Sequence, residues 1–307
     1  LQEMKQNGEK ISYVTAYDFG QATLVEKSEI EMILVGDSMS MTMLGHESTV
    51  PLTTDQMIHH IRAVVKGAPS PMIVGDLVFG SYNETPEQAI HSANRLLKEG
   101  GCDVVKLEGC MPETVRRMVD AGIGVQGHIG LTPQTAGLLG GFKLQGKNMD
   151  AARKIVDQAK SLEQAGAFSL VVECVPEELG RAITEAVKIP VIGIGAGRYC
   201  DGQVLVYHDL LGMFDRFRPK FVKKYADIGG QIVKALQEYK QEVRDVKFPS
   251  DEYVFGGLSK EDIGKIISLR YTVHGLFSLI ASFLGGIALS RGGSVPLLVF
   301  LGILAAG

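Results

Sequence analysis

The stretch Met32-Ile33-Leu34-Val35-Gly36-Asp37-Ser38 sets the pattern of the chain: a four-residue apolar run that stops at a glycine, a carboxylate and a hydroxyl. A short apolar run bounded in this way predicts a strand buried on both faces, the kind found in parallel sheets covered by helices. Comparable runs occur at Ser12–Asp18, Met72–Leu77, Val104–Gly109, Gly124–Gly130, Ser169–Val175, Pro190–Gly197 and Val204–Leu210, which makes eight strands. Helical spacing fills most of the intervals. Met57, Ile58, Ile61, Val64 and Val65 form one apolar face, and Ala152, Ile155, Val156, Ala159 and Leu162 another. Pro86, Pro112 and Pro176 stand where helices open, and Gly67, Gly122 and Gly166 where they stop. Alternating strands and helices predict an α/β fold with parallel pairing and right-handed crossovers. Eight units favour a closed (β/α)8 TIM barrel over the rival open doubly wound sheet, and 307 residues accommodate a barrel of about 250. A long polar helix, Phe221–Val246, is expected to close that domain.

If the strands share one direction, their ends form a rim carrying Asp18, Asp37, Asp76, Glu108, His128 and Glu173. Any one carboxylate after a strand is as readily a helix cap, but a barrel brings the ends of its strands together and catalysis is found there. Asp37 and Asp76 on neighbouring strands could share Mg²⁺, a hard cation that takes oxygen ligands and keeps positions open, with Glu108 a third ligand, directly or through water. Lys106 lies two residues before Glu108, so strand alternation points both side chains to the interior, where the ammonium pairs with carboxylates or binds an anionic group. Glu173 sits in an apolar run, and desolvation would lift its pKa toward the range useful to a base. His128 could donate to a developing oxyanion or be satisfied by a backbone carbonyl. The glycines at Gly193, Gly195 and Gly197 follow a seventh strand rather than a first, so they suggest close approach of a ligand to the backbone more than a dinucleotide fingerprint. His46, His208 and Asp209 are secondary candidates.

The formal charge of -4 and the absence of a dense basic run exclude an electrostatic footprint for nucleic acid and point to a small-molecule partner. The four cysteines form no C-x-x-C pair, so a reducing, cytoplasmic setting is expected, and the polar opening lacks the apolar core of an export signal.

In order along the chain, VTAYD, ILVGDS, GHESTVPLT, VVKLEG, GHIGLTPQ, VVECVP, PVIGIGAG, DGQVLV and HDLLG resemble the ketopantoate hydroxymethyltransferase family from about Ser12 to Tyr239. The resemblance implies a barrel of the phosphoenolpyruvate/pyruvate superfamily, assembled as a homodecamer. It also implies transfer of a one-carbon unit from 5,10-methylenetetrahydrofolate to 3-methyl-2-oxobutanoate, giving ketopantoate for pantothenate and coenzyme A synthesis. By the same resemblance Asp37 and Asp76 hold Mg²⁺ and contact substrate, Glu108 sits beside the metal, Ser38 and Lys106 meet the oxoacid carboxylate, Glu173 is the base, and Lys106 and His128 offset developing charge. Two departures touch loop geometry: Val78 stands where the family commonly has proline, and Ser38-Met39-Ser40-Met41 replaces a familiar Leu-Gly.

The resemblance assigns residues 1–249 to the catalytic barrel and its closing helix, and leaves 250–307 as a tail outside the family pattern. Val273–Leu289 is an uncharged run at the lower limit of about 17 residues for spanning a bilayer, and Val295–Gly307 is a second, shorter one. A membrane hairpin turning at Ser290–Ser294, an incidental fusion of a membrane-protein segment, and a soluble buried helix are the three readings.

Overall fold

The computed structural model describes residues 1–217 and 219–290. Eight strands, β1 (Ile11–Thr15), β2 (Met32–Val35), β3 (Met72–Asp76), β4 (Val104–Glu108), β5 (Val125–Gly130), β6 (Ser169–Glu173), β7 (Val191–Ile194) and β8 (Gly202–Leu205), pair in sequence order, and β8 closes on β1. Every pair is parallel. Helices α1 (Gln2–Asn7), α2 (Phe19–Glu26), α3 (Met39–Thr42), α4 (Thr54–Gly67), α5 (Pro86–Arg95), α6 (Pro112–Asp120), α7 (Met149–Gln164), α8 (Glu177–Ala186) and α9 (Tyr207–Leu210) complete the barrel unit. The compact units are Leu1–Leu236 and a second beginning at Gln237.

Strand alternation explains two separate cores. One set of side chains, including Val14, Ile33, Val105 and Leu170, packs outward with the helices, while Ile11, Tyr13, Met32, Leu34, Val74, Val171, Ile192 and Val204 fill the barrel interior. The apolar interior is crossed by one polar chain. The Tyr13 hydroxyl donates to Gln126 Oε1 at 3.2 Å and Gln126 Nε2 donates to Ser169 Oγ at 2.8 Å, which satisfies the buried polar atoms it links.

Several boundaries differ from expectation for identifiable reasons. Asp18 caps α2 through a 2.7 Å bond from the Gln21 N–H, so it serves the helix start rather than the rim. The eighth strand stops at Leu205, and His208 and Asp209 lie on the turn of α9, because the Tyr207 N–H turns to Thr15 Oγ1 at 2.9 Å instead of extending the ladder. The long helix α10 (Ile228–Arg244) starts later than Phe221, since the Tyr225 and Ile228 N–H groups bond to Leu210 and Leu211 carbonyls at 2.8 and 3.0 Å. None of its residues is buried.

Gly193, Gly195 and Gly197 also have an internal explanation. A Cβ on Gly195, whose φ is +64°, would come within 2.5 Å of the Phe221 ring, and one on Gly197 within 2.4 Å of Glu177 Cγ. Side chains of the protein itself take up the space at these positions. The tightest approach is at Gly180 on α8, where an added Cβ would stand 2.0 Å from the Ala196 carbonyl oxygen. An alanine normally stabilises a helix relative to glycine, but here it meets backbone that cannot rotate away. Gly180→Ala is expected to lower stability by about 1–3 kcal/mol, the range for overpacking, as read by urea unfolding. A more stable variant would contradict that contact.

In the second unit, α11 (Lys260–Ser290) contains the Val273–Leu289 run. Its segment Lys260–Leu284 is long and apolar enough to cross a membrane by length and composition. The second apolar run, Val295–Gly307, and Arg291–Ser294 of the expected turn lie outside the described residues.

Candidate active site

Register places the polar groups at one level of the barrel. Asp76 stands opposite Lys106, Glu108 opposite His128, and Glu173 opposite Gly130. Asp37 and Ser38 follow β2 directly, after Gly36. Seven of the residues singled out in the sequence, Asp37, Ser38, Asp76, Lys106, Glu108, His128 and Glu173, line one cleft at the C-terminal ends of the strands, enclosing about 1020 Å³ of space partly open to solvent. His46 is exposed and outside its lining, His208 is buried behind it, and Asp209 lies on its wall.

The floor of the cleft is a connected line of charges. Lys106 Nζ is 2.7 Å from Asp76 Oδ1 and 4.0 Å from Glu108 Oε1. His128 bridges onward, with Nδ1 3.4 Å from Glu108 Oε1 and Nε2 3.1 Å from Glu173 Oε2. Asp37 joins from the other side, its backbone N–H donating to Asp76 Oδ2 at 3.2 Å. The Ser38 hydroxyl shares a 2.9 Å hydrogen bond with the Tyr17 hydroxyl, and the Tyr17 ring stacks on His208 with centroids 5.6 Å apart.

Burial sets the charge states. Desolvation lifts the Asp37 carboxyl well above the usual carboxylate range, and the neighbouring charges of Asp76 and Glu108 lift it further. Burial also raises Glu173, against the pull of His128. Desolvation would likewise raise Glu108, but its contacts with His128 and the nearby Lys106 charge outweigh that cost and hold it low. For Lys106 and His128 burial opposes the charged form. The carboxylates around Lys106 overcome this and raise it, and Glu108 and Glu173 raise His128 to about 9. Four carboxylates thus face one ammonium and one imidazolium, leaving two excess negative charges when all are ionised.

That excess matches a divalent cation, and the oxygen-only donors Asp37 and Asp76 suit magnesium. Among the described residues no three His, Cys, Asp or Glu side chains form a ready cage. Magnesium needs none, because one or two carboxylates with water and substrate commonly complete its shell. Lys106 is the reason the third carboxylate stands back: its ammonium occupies the space between Asp76 and Glu108.

Gln134 is part of the floor and was not singled out in the sequence. Its Nε2 donates to Asp37 Oδ2 and to the Leu77 carbonyl, each at 2.9 Å, and its N–H donates to Glu108 Oε2 at 2.9 Å. Tyr82 in turn donates to Gln134 Oε1 at 2.6 Å. Gln134 therefore fixes both carboxylates from the loop after β5. The sequence signals were its place in a Thr-Pro-Gln turn directly beyond a rim strand and at the end of the family-like stretch GHIGLTPQ.

A family model described as ketopantoate hydroxymethyltransferase matches residues 1–251. The 3-methyl-2-oxobutanoate hydroxymethyltransferase of Heliobacterium modesticaldum is 59% identical over 256 residues, covering 83% of this chain and 93% of that protein. The protein of the same name from Moorella thermoacetica is 55% identical over 257 residues, covering 83% and 96%. Among solved structures, phosphonopyruvate hydrolase in complex with oxalate and Mg²⁺ superposes with a TM-score of 0.54 at 11% identity, covering 89% of this chain and 95% of that one. The 2,3-dimethylmalate lyase, a member of the PEP mutase/isocitrate lyase superfamily, gives 0.53 at 11%, covering 91% and 96%. The two structures share the barrel fold, and the sequence relatives are far closer: the chain belongs to the ketopantoate hydroxymethyltransferase family.

Proposed function

We propose that this chain transfers a hydroxymethyl group from 5,10-methylenetetrahydrofolate to 3-methyl-2-oxobutanoate, forming ketopantoate for pantothenate and coenzyme A synthesis. The observation that carries the chemistry is the unbroken line from Asp76 through Lys106, Glu108 and His128 to Glu173. The oxoacid brings a carboxylate and a keto oxygen, and its C3 proton must leave before a carbon-carbon bond can form. Lys106 and Ser38 receive the carboxylate end, where the ammonium's charge is fixed by Asp76. Magnesium held by Asp37 and Asp76, with Glu108 alongside, would supply Lewis-acid polarisation of the keto oxygen. Glu173, raised by burial, takes the C3 proton, and a carboxylate so raised is better matched to that transfer at neutral pH than a solvated one. His128, 3.1 Å from Glu173, aims its carboxylate and offsets the negative charge that spreads over the oxoacid oxygens. C3 then forms its bond to the methylene carbon as that carbon's two bonds to folate nitrogens break, water supplies the hydroxyl oxygen, and ketopantoate and tetrahydrofolate leave.

Residues 1–249 would carry this reaction entirely, as a cytoplasmic homodecamer, with the tail adding nothing to the chemistry. A chain ending at Pro249 is expected to form ketopantoate at a rate within about twofold of the full chain, because every residue of the cleft precedes it. Sedimentation of the shorter chain gives its assembly state. Comparing how the two chains partition without detergent tests the tail: identical partitioning removes the membrane reading, and loss of ketopantoate formation on truncation would overturn the assignment of the reaction to residues 1–249.

A further inference from the structure

The cleft is polar at its floor and aromatic toward its mouth, and the two substrates differ in the same way. Phe142 and Phe217 line the outer part with ring centroids 6.5 Å apart at 42°, and they are 49% and 55% exposed. Exposed rings in a concave site are surface that a flat ligand covers. Asp209, on α9 and half-buried, lines the same cleft. Among the described residues its carboxylate has no hydrogen-bond or charged partner: burial alone accounts for its pKa, which is held up to about 6. It is therefore ionised near neutral pH and short of donors. Its charge also reaches the buried Tyr17 hydroxyl, which touches Ser38, so Asp209 belongs to the wall above the oxoacid end of the cleft.

An unpartnered carboxylate on a binding wall repels the anionic oxoacid and selects a ligand with donors. The pterin of the co-substrate offers a 2-amino group beside an N3–H, two donors in parallel that match a carboxylate in bidentate fashion. We infer that Asp209 receives this donor pair, with the flat pyrimidinone ring against the aromatic wall of Phe142 and Phe217. The inference rests on the folate-dependent function proposed above. Lys106 and Asp209 then sort the substrates by charge, the cation taking the oxoacid and the carboxylate taking the pterin.

Steady-state kinetics of Asp209→Asn test this, since the amide keeps the shape but loses one acceptor and presents a donor to a donor. The KM for 5,10-methylenetetrahydrofolate should rise roughly tenfold to a hundredfold, the cost of losing a charge-assisted hydrogen bond, while the KM for 3-methyl-2-oxobutanoate stays within about twofold. An unchanged folate KM overturns the assignment. Should the variant misfold, calorimetry on the unaltered protein decides the matter: tetrahydrofolate should bind roughly tenfold or more tightly than its 2-deamino analogue, and equal binding overturns the inference. Failure of the unaltered protein to form ketopantoate would instead count against the proposed reaction, and the calorimetric comparison still reports whether the 2-amino group is recognised.

Discussion

Glu173→Gln is expected to slow solvent deuterium exchange at C3 of 3-methyl-2-oxobutanoate by about a hundred- to ten-thousandfold, the range that general-base catalysis supplies. The exchange needs no folate, so it isolates proton removal from carbon-carbon bond formation. Glutamine preserves size and leaves His128 a neutral oxygen in place of the carboxylate 3.1 Å away, but it cannot hold the abstracted proton. The variant should also move the His128 pKa down from about 9, because one of the two carboxylates that raise it is gone. NMR titration of the His128 imidazole would report that change independently of turnover. Exchange at the unaltered rate in Glu173→Gln would remove Glu173 from the role of base and shift attention to Glu108, the other carboxylate in contact with His128.

The barrel and the floor of this cleft were legible because strand periodicity encodes both. Lys106 and Glu108 share a face by spacing alone, and any residue at the end of an apolar run in a parallel barrel is carried to the same rim. The same rule misplaces residues wherever the chain leaves the strand early. Asp18 follows an apolar stretch as Asp37 does, yet β1 ends at Thr15 and the intervening turn delivers Asp18 to the start of α2. The run VLVYHDL reads equally as strand or helix, and only the bond from Tyr207 to Thr15, a residue far away in sequence, ends the strand at Leu205. Gln134 was invisible for a different reason. It is uncharged, lies in a loop, and gains its importance from Asp37, Glu108 and Tyr82, which reach it from three other strand ends. Contacts of that kind depend on closure of the barrel rather than on any local pattern.

Asp37→Asn and Asp76→Asn separate metal binding from the stability of the charge network, and they should do so with opposite signs. In the metal-free protein the raised pKa of Asp37 means that the folded state holds its proton more tightly than the unfolded chain. Stability from this group is therefore greatest below its unfolded pKa and is lost as pH rises toward neutrality. Asp37→Asn removes that penalty, so without metal it should be at least as stable as the unaltered protein. Burial raises Asp76 as well, but its carboxylate is the partner 2.7 Å from a Lys106 ammonium that is 3% exposed, and losing that pair outweighs the relief of desolvation. Its neutralisation leaves that ammonium with Glu108 at 4.0 Å, and loss of a buried partner costs roughly 3–5 kcal/mol. Magnesium should reverse the comparison for the unaltered protein alone. At a hundred times its dissociation constant a ligand that binds only the folded state adds about 2.7 kcal/mol. Urea unfolding in chelator and in magnesium should show that gain in the unaltered protein and in neither variant. An equal gain in Asp37→Asn would place the ion away from Asp37, and the two excess charges on the cleft floor would then need another counterion.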